Sequence, residues 1–133
     1  MLEQYPGKVK LVFKNLPIRS HAYSVQSAMA ALAAEKQGKF WEFHDLLYKN
    51  YSSLNKEKIQ EIATTLELDL EQFNKDIKDR VLQAKINQDL RDGAKAGVRS
   101  TPTVFINGWQ VQDRNLNGLK NRVDKELKKL EQK

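Results

Sequence analysis

The chain of 133 residues has two histidines, His21 and His44, and no cysteine. Without Cys there is no disulfide, no thiolate nucleophile and no thiolate-held zinc or iron–sulfur cluster. Two imidazoles are too few for a His-rich metal site, so neither a metal nor another cofactor is expected. His44 stands between Phe43 and Asp45, which invites a His–Asp pair. Neighbours on a helix point about 100° apart and do not face each other. His44 therefore does not read as half of a catalytic His–Asp pair. His21 follows a helix cap and is expected in solvent. No Ser is placed as a nucleophile, and no catalytic residue is assigned. Trp41 is expected to fill a helix–helix contact. Trp109, just past a turn, is left between a core role and an exposed binding platform.

The elements that must position these residues follow from periodicity and punctuation. Lys8–Lys14 alternates polar and apolar, with Val9, Leu11 and Phe13 on one face, as in a strand. Pro6-Gly7 opens it and Asn15-Leu16-Pro17 closes it. Ser20 is the expected cap of a helix over 21–37, made thin by Ala28, Ala30, Ala31, Ala33 and Ala34 and stopped by Gly38. Further helices are expected over 39–49, over 56–66 after the cap Asn55, from Asp69 with Gln72 as its capping-box partner, and over 80–96. Residues 101–106 are β-rich, Asn107-Gly108 is a hairpin signal, and 109–112 return. A last helix is expected over 116–132, with Lys120, Arg122, Lys125, Lys128 and Lys129 on its wet face. The order is a strand, five helices, a hairpin and a helix, an α/β protein.

Composition agrees with one globular domain: 40% of residues are hydrophobic and 30% charged. The charge is +6, from 23 basic and 17 acidic residues. The basic residues are interspersed with acids along the chain, so nucleic acid is not an expected partner. No apolar run approaches the roughly 20 residues of a membrane span, and no secretory signal precedes the first element. The chain as given reads as cytoplasmic, its location otherwise unknown.

Two stretches carry a resemblance. One is Glu35-Lys36-Gln37-Gly38-Lys39-Phe40-Trp41-Glu42-Phe43-His44-Asp45-Leu46-Leu47. The other is Gly97-Val98-Arg99-Ser100-Thr101-Pro102-Thr103-Val104-Phe105-Ile106-Asn107-Gly108. Together they closely resemble the DsbA-like thioredoxin-fold proteins, thiol–disulfide oxidoreductases that are mostly periplasmic or exported. The resemblance implies one thioredoxin-like α/β domain over 1–133, with a helical insertion over 20–96. It places a cis-proline loop, a hairpin and the last helix in 97–133. It further implies a cis Thr101–Pro102 bond and a surface for an extended peptide at Ser100, Thr101, Pro102 and Thr103.

The family begins with a strand and a Cys-x-x-Cys helix, and Met1–Tyr5 resembles the last turn of that helix. The expectation is thus an N-terminally truncated, redox-inactive binding module. The alternative is part of a thiol–disulfide oxidoreductase whose Cys-x-x-Cys segment is missing from this chain. The family's first strand is central, and a sheet without it leaves Val12 and Phe105 uncovered. A homodimer through strand edges is expected to cover them; otherwise Val9–Lys14 would slide in and pair antiparallel with Thr103–Ile106.

Overall fold

The computed structural model describes residues 1–132. After a short 3-10 helix over Leu2–Gln4, five α-helices follow: α1 Ser24–Glu35, α2 Phe40–Lys49, α3 Lys56–Thr65, α4 Leu70–Asp76 and α5 Arg80–Lys95. Strands β1 Phe105–Ile106 and β2 Trp109–Gln110 and helix α6 Leu116–Glu131 follow. The chain divides into two compact units, residues 14–96 and residues 1–13 with 97–133.

The helical unit is built around α1, which packs against α2, α3, α4 and α5. Ala30, Ala33 and Ala34 are completely buried. Side chains that small let neighbouring backbones come close, and Ala also favours the helix itself. Leu32, Phe43, Phe73 and Ile86 are the largest fully buried side chains of this core. The Phe43 and Phe73 rings pack 5.6 Å apart.

Helices α3, α4 and α5 each start on a side-chain cap, whereas α2 does not. Asn55 accepts from Lys58 N–H, Asp69 from Gln72 N–H and Asp79 from Val81 N–H. The reciprocal half of the α4 box comes from a different residue than expected. Gln37 accepts from Asp69 N–H at 2.8 Å, while the Gln72 side chain turns to Asp76 at 3.0 Å.

Two buried carboxylates tie the helices together. Asp76, 3% exposed, accepts from Lys36 Nζ at 2.7 Å, and the same ammonium reaches Asp79 at 3.2 Å. Lys36 follows α1, Asp76 ends α4 and Asp79 caps α5, so one cation joins three helix ends. Asp89 accepts from Asn15 N–H at 2.9 Å and from Asn15 Nδ2 at 3.0 Å, and it pairs with Lys14 at 3.2 Å. The incoming chain is thereby fastened to α5. The neighbouring Asp92 and Asp89 carboxylates hold the Lys14 ammonium above its usual range.

Several expectations need correction. Val9–Lys14 forms no strand, and among the described residues it joins no sheet ladder, with Thr103–Ile106 or otherwise. The only sheet there is the β1–β2 hairpin, and alternation without a ladder partner does not make a strand. Val12 is 62% exposed. Ser20 does not cap α1. Residues 18–24 form two successive turns, Ser24 Oγ accepts from Ile18 N–H, and Tyr23 starts the helix at φ 64°.

Trp41 does not fill the core; it is 43% exposed. It lies edge-on to Phe40 and His44, with ring centres 5.0 and 5.4 Å away. His44 is half-buried, and its Nδ1 lies 3.0 Å from Asp45 Oδ1. Adjacent side chains leave the helix in different directions, yet the carboxylate reaches back to the ring.

Lys36 holds the Asp76 carboxyl below the ordinary carboxylate range. A carboxyl depressed in the folded state adds stability above its unfolded pKa and loses it as pH falls through the folded value. Helical circular dichroism during thermal unfolding should therefore show stability falling below about pH 4. Asp76→Asn should flatten that acid limb and lower Tm at pH 7 by about 4–8 °C. An acid limb unchanged by the substitution contradicts this role.

Candidate functional site

The surface implied by the Ser-Thr-Pro-Thr stretch lies in the unit formed by residues 1–13 and 97–133. Its frame is the hairpin. Phe105 faces Gln110 and Ile106 faces Trp109 in antiparallel register. Asn107 at φ 48° and Gly108 at φ 80° make the tight turn, the left-handed pair that a two-residue hairpin requires. Val111 N–H continues the ladder to the Val104 carbonyl at 2.8 Å.

Just before this ladder, Ser100, Thr101 and Pro102 are exposed and Thr103 is half-buried. The Thr101–Pro102 bond is cis. The loop is held from inside and behind. Thr103 Oγ1 donates to the Ser100 carbonyl at 2.6 Å, and Arg114 Nη1 donates to the Pro102 carbonyl. Among the described residues, the backbone N–H and C=O groups of Thr101 and Thr103 make no hydrogen bond. Unpaired backbone groups next to a strand are what an added strand requires.

Arg114 was not singled out by sequence reasoning. It sits in the polar stretch between hairpin and helix, where residue type alone gives no signal. Its place is fixed by the start of α6. Asn115 caps the helix by accepting from Gly118 N–H at 2.8 Å. The chain just before the cap then passes directly over Gly118. A Cβ there would overlap the Asp113 carbonyl oxygen and lie 2.6 Å from Asp113 Cγ.

Trp109 is 60% exposed and is not a core residue. Arg122 lies over its ring at 5.0 Å and Lys129 at 5.9 Å. Both cations also bind the buried Glu126 carboxylate, at 2.6 and 2.8 Å. The Lys129 ammonium, with Arg122, holds that carboxyl below its usual range. Thus Arg122 and Lys129, expected on a wet face, brace the hairpin against α6. Residues 1–7 join the same helix where the Tyr5 hydroxyl donates to Asp124 at 2.8 Å. His21 is exposed, as expected. The described residues contain no cluster of His, Asp or Glu able to hold a metal ion, and no described helix is long and apolar enough to cross a membrane.

Comparison with known proteins gives consistent matches. A thioredoxin family model matches residues 1–125. A probable disulfide bond formation protein D of Bacillus anthracis is 30% identical over 131 residues, covering 92% of this chain and 60% of that protein. A Na(+)/H(+) antiporter NhaA 3 of Salinispora tropica is 39% identical over 101 residues, 75% of this chain but 16% of that protein. A crystal structure of a thioredoxin-like oxidoreductase from Silicibacter pomeroyi DSS-3 superposes with TM-score 0.76 at 30% identity. It covers 89% of this chain and 68% of that one. The chain therefore spans less than two thirds of the length of these curated relatives.

The Gly118 contact has a testable sign. Helix propensity alone would make Gly118→Ala stabilising by up to about 1 kcal/mol. The overlap with Asp113 should instead make it destabilising by about 1–3 kcal/mol in chemical denaturation. A stabilised variant would show that the loop before α6 yields easily.

Proposed function

We propose a function from one premise: the chain belongs to the DsbA-like thioredoxin-fold family. In this reading the 133-residue chain is a binding module that takes an extended peptide along Ser100, Thr101, Pro102 and Thr103. The observation that carries it is the pair of residues, Thr101 and Thr103, whose backbone groups are unpaired among the described residues in an exposed loop. An extended segment would add there as a strand, with main-chain hydrogen bonds supplying affinity. Thr103 Oγ1 and Arg114 hold the loop in shape without using those groups. Preorganisation of this kind lowers the entropy lost on binding.

This chain contains no cysteine, and thiol–disulfide exchange needs a thiolate. The chain by itself is accordingly proposed to be redox-inactive. A second reading draws support from the Bacillus relative's name, a probable disulfide bond formation protein. There the chain would be the peptide-holding part of an oxidoreductase, its thiols supplied by residues outside this sequence. An insulin-reduction assay with glutathione as electron source tests the first reading. The expected result is turnover at the buffer blank; turnover above it would overturn redox inactivity.

We also propose that two chains pair through strand edges. Phe105 of β1, at 40% exposure, supports this reading, because paired edges would remove such side chains from water; Val12 is also exposed but lies outside either strand. The unit that carries them is cationic, so screening should favour association. Sedimentation at micromolar concentration should give a dimer mass that strengthens with added salt. A monomer at every salt and protein concentration would overturn the pairing.

A further inference from the structure

The net charge is unevenly divided. Residues 1–13 with 97–133 hold ten Lys and Arg against five Asp and Glu, a net +5. Residues 14–96 hold thirteen against twelve, a net +1. Within the first unit the cations differ in what they touch. Arg122 and Lys129 share the single carboxylate of Glu126. Arg99 and Arg114, like Lys8, Lys10, Lys120, Lys125 and Lys128, have no carboxylate partner among the described residues, but only these two arginines flank or touch the loop. These two arginines bracket the loop. Arg99 is exposed and directly precedes Ser100. Arg114 is exposed and rests on the Pro102 carbonyl through one nitrogen, and a guanidinium has five N–H donors in all. The acid nearest in sequence, Asp113, is turned toward Asn115 N–H at 3.5 Å.

We infer that the peptide taken by the Ser100–Thr103 loop is acidic, with Asp or Glu side chains placed to meet Arg99 and Arg114. This rests on the peptide-binding reading above and adds the chemical class of the ligand. A strand added at Thr101 and Thr103 alternates its side chains between two faces. Carboxylates at alternate positions therefore lie on one side of the added strand and can meet a guanidinium as a forked pair. The geometry leaves Arg114 with a second role as a positioning residue, since the group that shapes the loop also presents its charge. Clustered like charge would also speed the encounter with an acidic segment and oppose a basic one.

The test uses the full chain and fluorescein-labelled extended peptides in which Val alternates with Glu, Gln or Lys. Fluorescence anisotropy is read at low and at physiological salt, with a single-stranded oligonucleotide of equal charge as a further ligand. The Glu peptide should bind about five- to tenfold more tightly than the Gln peptide at low salt, and the margin should shrink as salt is added. Arg99→Glu, at an exposed position outside the loop's hydrogen bonds, should abolish that margin and bring the Lys peptide up to the Gln peptide. Arg114→Lys keeps the charge but loses the fork, and should retain only part of the preference. Equal binding of Glu and Gln peptides would overturn the acidic specificity and leave the peptide reading standing. Failure of every peptide would overturn both. An oligonucleotide that binds as tightly as the Glu peptide and loses affinity in Arg99→Glu would replace the acidic peptide with a nucleic-acid ligand.

Discussion

The close approach allowed by the alanine face of α1 is the constraint on which the helical unit depends. Ala30, Ala33 and Ala34 have no exposed surface, and four other helices pack against this one. A larger side chain at any of them would push a neighbouring helix outward, since cores of native density have no room to absorb added volume. Close packing alone does not set the order of the helix ends. Lys36 does so by joining the ends of α1 and α4 to the start of α5. Lys14 and Asn15, bound to Asp89, fix where the chain enters. Small residues thus set distance, and a few charge-assisted hydrogen bonds set direction.

The second unit solves a smaller problem with other means. Its hairpin is too short to be stable alone. It is braced by Arg122 and Lys129, which sit over Trp109 and converge on Glu126. On the other side of the hairpin's polar connection, Arg114 holds the Pro102 carbonyl. The loop at Ser100–Thr103 is therefore ordered by groups that leave the backbone of Thr101 and Thr103 unpaired among the described residues. That separation of support from surface is the physical basis for reading the loop as a place of binding.

Much of this was legible in the sequence. Caps with a short polar side chain beside their own helix, Asn55 and Asp69, stand where local pattern puts them, because their chemistry is decided within four residues. The Asn107-Gly108 turn was equally plain, for the same reason. Features that depend on distant partners leave no local pattern. Val9–Lys14 has the alternation of a strand, but a strand needs a neighbour, which alternation cannot supply. Trp41 looked like core because it is large and apolar, yet a helix between two packed neighbours still has an outer face. Among site residues, Ser100–Thr103 were visible through their motif. Arg114 was not, since its hydrogen bond to Pro102 spans twelve residues and leaves no periodic trace.

In the proposed function, the backbone at Thr101 and Thr103 receives an extended partner. Amide-resolved NMR of the full chain, titrated with an extended peptide, tests it most directly. The Thr103 amide resonance should shift saturably and its hydrogen exchange should slow, as an unpaired N–H becomes a donor in a ladder. A Thr103 amide that keeps both its shift and its exchange rate at saturation, while changes gather around Trp109 or α6, would contradict it.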